Sequence, residues 1–560
     1  MFISVNDKGR GSLRSNYLCE GWGLTISFFQ VADGEDSGSF IDGWSLSNVD
    51  TTYTGDDFNS LLETILNIKK EKGLKFYYKD GKKYKKDILV IYTNMFFEVS
   101  AFMLNLDSSN FKYYTTIFDN IEFRACWSNK VKNSSDIAKW ANDFITNLFI
   151  PDKYFYLTPS QVFRKKIAHI CKKNNITLGP DIFPHTMSEY EDIRQAFFGG
   201  LCICDKPGEI AYDVIEYDIK SGYPFAYFMK MPVSASRIVN PNKWREYITS
   251  NDKTSIGLYR LKKVKNIEWL NCFKDTVSKD IKDGSIIRLS TPDLVLIMNI
   301  ANLTYDDIEC LELQEYDFDY LPREILNAIA EAFINKEQNR GNVLYDVFKV
   351  MLNSIYGNSS RQVHDTWEYK ERAEDDLTIL WGIYITAYCR CMVYMLRSNL
   401  YYPLYSDTDS VYCKNTQQNA EVVRQFNELT RSMLKEACSA RNIDFDSIST
   451  LGIFEVEDTC QKFKAFKQKQ YVYVDSTGDM KCKAAGCNKE SMLLNESLFD
   501  RIPVGVRVAD KWVYVGYRET VRNGKTYKSC CGPYIIRLGD MTYKGYMVLK
   551  NLMCPDERNY

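Results

Sequence analysis

Read for its alternation of apolar and polar positions, the chain resolves into strands and helices without a regular repeat. Residues 88–93 (Ile-Leu-Val-Ile-Tyr-Thr) are a short β-branched run between lysine-rich turns, which predicts a buried strand. Residues 134–148 carry a helical period, with Ser134 or Ser135 as the expected cap. A strand is predicted over 212–219, closed by a Ser221-Gly222 turn before Pro224. Residues 341–356 place Val343, Val347, Met351 and Ile355 along one stripe of a helix, and 381–397 continue as an apolar helix. A hairpin with an acidic tip is expected over 402–413 and a strand over 470–475. Strands and helices mix without βαβ alternation, so the fold class is α+β with several subdomains.

Composition narrows the class. At 560 residues the chain suggests two to four units, and 45% apolar with 26% charged residues gives ample material for a core. No run of about 18 apolar residues occurs, so no membrane span is expected, and the N-terminus turns polar by Asn6, so no secretory signal is expected either. Seventeen cysteines, an odd count, point to reduced thiols in a cytosol. With no Cys-x-x-Cys pair and only His169, His185 and His364 as imidazoles, a structural zinc site is not expected. The net charge of -2 does not announce a polyanion partner, yet lysines cluster. Nine lie between Lys69 and Lys86, read as solvated hairpins and helix faces, and four between Lys462 and Lys469. Most of the 39 tyrosines are expected in the core and sheets, although such rings also stack on bases.

Three segments carry the chemistry. Tyr405–Tyr412 (YSDTDSVY) sets Asp407 and Asp409 around one threonine between aromatic, β-prone arms, so the acids are held on a sheet rather than on a free loop. Tyr217–Pro224 (YDIKSGYP) ends a strand on Asp218 and delivers Tyr223 from the next turn. Acids at the ends of two neighbouring strands suit two-metal phosphoryl transfer, in which Mg²⁺ ions clamp the attacking and leaving oxygens. Hard cations want carboxylate oxygens, and Mg²⁺ needs only one or two besides its waters, which Asp218 and Asp409 supply. In the third segment Lys349, Asn353 and Tyr356 fall at i, i+4 and i+7, a cation, an amide and a ring on one helix face opposite the apolar stripe. Gly357 permits the helix to end or another group to approach.

The order DIKSGYP, K-x-x-x-N-S-I-Y-G, Y-S-D-T-D-S resembles the motifs of family B DNA polymerases, most of all the protein-primed branch of small tailed phages and linear plasmids. Lys469-Gln470-Tyr471 resembles that family's K-x-Y motif, the segment around Lys483 its K-x-A-G, and Ala196–Leu201 (AFFGGL) its Y-x-G-G turn, with Phe197 for the tyrosine. The likeness runs from about 190 to 490. It implies a polymerase right hand behind an N-terminal ribonuclease H-like exonuclease-type domain. By the same resemblance Asp218 and Asp409 are the metal-binding carboxylates, Asp407 their neighbour, Tyr223 the gate against a 2′-hydroxyl, and Lys349 the triphosphate ligand. Asn353 belongs with the nucleotide site, Tyr356 packs on the nascent base pair, and Lys469, Tyr471 and Lys483 contact primer and DNA. The implied cofactor is Mg²⁺, with Mn²⁺ as a substitute. The implied partners are template DNA, deoxynucleoside triphosphates and a terminal priming protein on a monomeric enzyme, with no membrane.

The implied boundaries are 1–185 for the exonuclease-like domain, 186–230 and 363–485 for the palm, 231–325 for the priming-protein insertion, 326–362 for the fingers and 486–560 for the thumb. The departures lie mainly in the first of these. Glu98 and Asp136 stand at two of the expected exonuclease acids, but Lys132 replaces a tyrosine and the opening D-x-E is missing, its nearest match being Asn6-Asp7-Lys8. Weak or absent proofreading is the expectation, unless Asp7 or Glu20 substitutes. The segment between Tyr356 and Gly382 is shorter than the family's second insertion, which leaves processivity and strand displacement open. Two other readings stay open: a polymerase of this fold that extends a nucleic-acid primer, and an inactive relative that binds DNA as a scaffold.

Overall fold

The computed structural model describes residues 21–31, 38–72, 76–79, 82–85, 89–93, 121–125, 133–147, isolated positions between 163 and 176, 186–265, 281–360 apart from Val343, 378–484, 496–500, and four strands between 511 and 536. The first unit comprises β1 (Gly21–Val31), β2 (Gly38–Ser47), β3 (Thr52–Gly55), α1 (Phe58–Glu71), β4 (Phe76–Lys79), β5 (Lys82–Lys85), β6 (Leu89–Thr93), β7 (Ile121–Ala125) and α2 (Ser134–Asn147). Its sheet runs in the order β3-β2-β1-β6-β7, antiparallel through β1 and parallel beyond it. Leu61, Ile65 and Ile68, spaced i, i+4, i+7 on α1, bury against Trp22, Leu24, Leu46 and Ile91. The strand predicted at 88–93 is β6, with Leu89 and Ile91 buried. Helix α2 lies against β1 at Gly23, where no room remains for a Cβ. Its cap is not Ser134 or Ser135 but Asn133, whose side chain accepts from the Asp136 amide at 2.8 Å. Ser134 is buried and hydrogen bonds to Ser45 and Ser47 at 2.6 Å each. Of the first lysine cluster, Lys79, Lys82, Lys83 and Lys85 fall in the β4–β5 hairpin and Lys69 and Lys70 in the last turn of α1, as read from the pattern.

The chain continues through α3 (Met187–Arg194), β8 (Leu201–Cys204), β9 (Ile210–Ile219) and the short α4 (Gly222–Ala226). It then builds a separate antiparallel sheet from β10 (Met231–Pro232), β11 (Arg237–Ile238), β12 (Lys253–Leu261), β13 (Ile286–Ser290) and β14 (Ile308–Asp319), with α5 (Thr291–Ala301) between the last two. Two helices in contact follow in sequence, α6 (Arg323–Gln338) and α7 (Leu344–Ser360), then the long α8 (Ile379–Asn399). Val347, Met351 and Ile355 of the predicted stripe are buried on α7. Gly357 does not end that helix, which runs on to Ser360.

After α8 come β15 (Pro403–Thr408), β16 (Ser410–Lys414), α9 (Gln417–Arg441), β17 (Phe454–Lys467), β18 (Gln470–Asp475) and β19 (Met480–Ala484). Among the described residues these strands join β8 and β9 in one sheet of order β19-β18-β17-β9-β16-β15-β8. One face, through Ile215, Tyr217 and Ile219, packs on the main core shared with α8 and α9. The other face carries Val214, Tyr405, Tyr412, Phe463 and Tyr471. By length and composition α8 is the one described helix apolar enough to cross a bilayer, but most of it is buried inside this core. At its centre Arg390 forms a fork-to-fork pair with Asp293 of α5, at 2.9 and 2.7 Å, both side chains fully buried. The remaining guanidinium nitrogen donates to the carbonyls of Phe198 and Gly199 at 2.7 and 2.6 Å, fixing the turn before β8. Of the expected thumb span, the described parts are a 3₁₀ turn at Glu496–Phe499 and two strand pairs, Lys511–Tyr514 with Pro533–Ile536 and Tyr517–Arg522 with Lys525–Cys530. The span between α7 and Thr378, where the shortened insertion was inferred, lies outside the described residues.

Candidate active site

Asp218 sits near the end of β9, opposite Ser410 of β16 on one side and Glu455 of β17 on the other. The β15–β16 turn brings the second acid to it. Asp407 ends one arm, and Thr408 takes a left-handed conformation with φ 63°. Such a conformation is unusual for a β-branched residue and costs about 1–3 kcal/mol. The Asp409 amide then donates to the Asp407 carbonyl at 2.7 Å, and the Asp409 carbonyl accepts from Ile219 at 2.9 Å, one residue past Asp218. Backbone bonding thus clasps the hairpin tip to the end of β9. Gly200 makes room for it: a Cβ there would lie 2.7 Å from Thr408 Cγ2 and 2.8 Å from its hydroxyl oxygen. This is the physical need for the second glycine of the AFFGGL segment.

The carboxylates repel one another. Burial first, then Asp409 and Glu457, raise the Asp218 carboxyl far above the ordinary range; burial and Asp407 raise Asp409. Lys349 of α7 acts on both in the opposite direction. Two half-buried acids that repel one another are what a divalent cation relieves. Among the described residues no group of three or more His, Cys, Asp or Glu forms a ready-made cage. Two carboxylates are nonetheless a donor set that Mg²⁺ can use, since it keeps several waters and takes one or two acids.

On α7 Lys349 and Asn353 are exposed and Tyr356 is half-buried. The Tyr356 ring stacks on Tyr223, centroids 4.3 Å apart at 18°, and on Phe197 at 6.3 Å and 26°. Arg194 lies 5.7 Å over Phe197. The phenylalanine at position 197 keeps the ring and forgoes only a hydroxyl. Tyr223 is aimed by the strained turn before it, where Ser221 has φ 55° and its hydroxyl accepts from Lys336 at 2.8 Å.

Lys336 belongs to a charged cluster that motif reading missed. Lys220 bridges Glu337 of α6 and Glu455 of β17 at 3.0 Å each, while Lys336 and Arg340 also pair with Glu337, at 3.2 and 2.9 Å. Burial, with Lys220 and Lys349 nearby, lowers the Lys336 ammonium despite Glu337. The available signal was two cations four residues apart at a helix end, Lys336 in the last turn of α6 and Arg340 in the turn just past it. Glu457 was missed for a plainer reason: it sits at a bulge of β17, between Val456 and Asp458, which period-2 reading does not foresee.

Lys469 stands at the tip of the β17–β18 hairpin with φ 60°; its ammonium pairs with Asp407 and its amide donates to the Tyr405 hydroxyl at 2.8 Å. Lys483, opposite Tyr471 on β19, is exposed and lies 5.4 Å over that ring. Tyr471 itself is 1% exposed, its hydroxyl 3.1 Å from that of Tyr412, so it underlies the hairpin instead of reaching the surface. The lysine density of 462–469 divides. Lys462 pairs with Glu496 at 2.7 Å and Lys464 donates to the Phe499 carbonyl at 2.6 Å, both turned toward the following segment, and only Lys467 and Lys469 remain exposed.

In the first unit, Asp136 is exposed in the opening turn of α2, its carboxylate accepting from Asn133 at 2.8 Å. Glu98, Lys132, Asp7 and Glu20 lie outside the described residues. The first described strand of the sheet, β1, carries no carboxylate.

The sequence profile of organellar and viral type B DNA polymerases matches residues 52–377, a span holding Asp218, Tyr223, Lys349, Asn353 and Tyr356. No curated protein sequence matches the chain. Among solved structures it is similar to the phi29 DNA polymerase with primer–template DNA, at TM-score 0.56 and 13% identity over 92% of this chain and 100% of that one. It is also similar to the phi29 polymerase with primer–template DNA and incoming nucleotides, at 0.57 and 14% over 92% and 99%. At such identities the likeness speaks for the fold, a right hand behind an exonuclease-type domain. Because the profile covers more than half its length, the chain belongs to the type B DNA polymerases of the organellar and viral kind, and is a DNA-directed DNA polymerase.

Proposed function

We propose that this polymerase replicates a viral or plasmid genome by two-metal nucleotidyl transfer and starts synthesis on the hydroxyl of a terminal priming protein. The observation that carries the chemistry is the backbone clasp between Asp409 and Ile219, which brings the strand end of Asp218 and the hairpin tip of Asp409 together. Asp218 and Asp409 would hold Mg²⁺ or Mn²⁺, which supplies charge for the attacking and leaving oxygens. Lys349 and Asn353, exposed on one face of α7, meet the triphosphate, while the Tyr223–Tyr356 stack forms the floor under sugar and base. Lys469, beside Asp407, and Lys483 take primer phosphates; Tyr471 supports the loop that presents them. The separate sheet of Met231–Asp319 lies within the span inferred to dock the priming protein. The palm, fingers and thumb boundaries follow the same reading, as do a monomeric state and a place in the host cytoplasm.

Two arms test it. Extension of an oligonucleotide primer in Mg²⁺ separates a working enzyme from a DNA-binding scaffold. Attachment of a deoxynucleotide to a small partner protein with no oligonucleotide present separates protein priming from nucleic-acid priming. Extension without attachment would retain the polymerase and remove the priming claim.

A further inference from the structure

Glu216 lies two residues before Asp218 on β9, so both side chains project from the same face of the sheet. It is 7% exposed, and a carboxyl in such a place needs a partner. In the strand register it stands opposite Tyr412 of β16 and Asp458 of β17. The residue placed to partner it is Tyr412, its directly opposed neighbour on the same face of the sheet. Tyr412 has one proton, and a carboxylate is a stronger acceptor than a phenol. A proton given by Tyr412 to Glu216 would leave the Tyr412 oxygen to accept from Tyr471, 3.1 Å away. Tyr471 packs on Tyr405 with centroids 5.0 Å apart, and Tyr405 receives the backbone amide of Lys469 at 2.8 Å. A continuous path of contacts runs from the strand of the metal acids to the hairpin tip that carries Lys469.

We propose that Glu216 is a positioning residue for the primer terminus, holding the Lys469 hairpin in place through Tyr412 and Tyr471. The proposal rests on the polymerase reading above and adds a residue that none of the recognised motifs contains. It explains a carboxyl at a strand position that packing alone would fill with an aliphatic residue, as Val214 fills the one before it on that face. Glu216 touches neither nucleotide nor metal in this account; its effect reaches the reaction through where the primer's end lies.

The test is steady-state extension of a primer–template by the full chain, varying primer–template and nucleotide separately, for Glu216→Val, Glu216→Gln and Tyr412→Phe. The amide of Glu216→Gln still accepts from Tyr412, so near-normal kinetics are expected. Glu216→Val and Tyr412→Phe each sever the path and should raise the KM for primer–template about tenfold, the worth of one buried hydrogen bond, with the KM for nucleotide unchanged. The double variant Glu216→Val/Tyr412→Phe should be no worse than either single one. Unchanged primer–template KM in both single variants overturns the proposal. So does a fall in kcat alone, or an equal defect in Glu216→Gln, because either would mark a general structural or electrostatic role. Should Glu216→Val fail to fold, Tyr412→Phe, which deletes one oxygen, decides the matter alone. If the unaltered chain does not extend a primer at all, the polymerase reading is what fails.

Discussion

Replacing Asp218 or Asp409 by Asn removes one charge from a pair that the fold holds together against mutual repulsion. Nucleotide addition should fall by at least about a hundredfold, the usual size of an electrostatic catalytic term, while primer–template binding in a gel-shift assay persists. Near-normal incorporation by either variant would remove both residues from the metal site. Tyr223 is open to a different test. Its ring lies on Tyr356, so Tyr223→Ala would open the place proposed for the gate while the stack from Tyr356 to Phe197 stays. Ribonucleotide incorporation should rise relative to deoxynucleotide incorporation, and an unchanged ratio would assign the gate elsewhere. At this scale the sequence was legible where a residue type has one chemical use. Asp407, Asp409 and Asp218 could be singled out because acids between β-prone arms have few structural roles. Glu216 and Lys336 escaped because a single charged letter inside a strand or helix looks like surface until burial is known.

Elements were legible where their period was unbroken. The 470–475 strand and the 341–356 helix appear as β18 and α7, within a few residues. The cap of α2 was misjudged because Ser134, Ser135 and Asn133 all have capping side chains, and burial against Ser45 and Ser47 diverts Ser134 to another task. What joins elements was not legible at all. The Arg390–Asp293 pair links α8 to α5, and nothing in either helix names the other. Asp293→Asn would leave a fully buried guanidinium without its counter-charge, so a loss of about 3–5 kcal/mol is expected in urea unfolding. A joint replacement of both residues by apolar ones of similar volume should recover much of that loss. If Asp293→Asn unfolds like the unaltered chain, the pair contributes nothing that its hydrogen bonds to the Phe198 and Gly199 carbonyls do not already provide.

For the molecule as a whole, the first unit keeps the strand order of a ribonuclease H-like sheet, yet its first described strand lacks any acid. We predict that it retains the fold and loses efficient 3′-5′ hydrolysis, since a two-metal cleavage short of one ion loses nucleophile activation or leaving-group stabilisation. A 3′-labelled mismatched primer in Mg²⁺ or Mn²⁺, without nucleotides, should be degraded slowly or not at all. Rapid removal of the mismatch, abolished by Glu98→Ala, would show an intact site built from acids outside β1. The strand order of the central sheet has a consequence in time. β9, which bears Asp218, is flanked by β16 and β17, and both are encoded almost two hundred residues or more downstream. At 5–20 residues per second the ribosome leaves that strand without either neighbour for roughly ten seconds or longer. The Met231–Asp319 sheet, whose strands pair among themselves, is complete well before then. The newborn chain thus carries a finished middle and an unpaired, largely apolar edge at the place where it will later do its chemistry, and during that interval the strand depends on whatever else in the cell shields it.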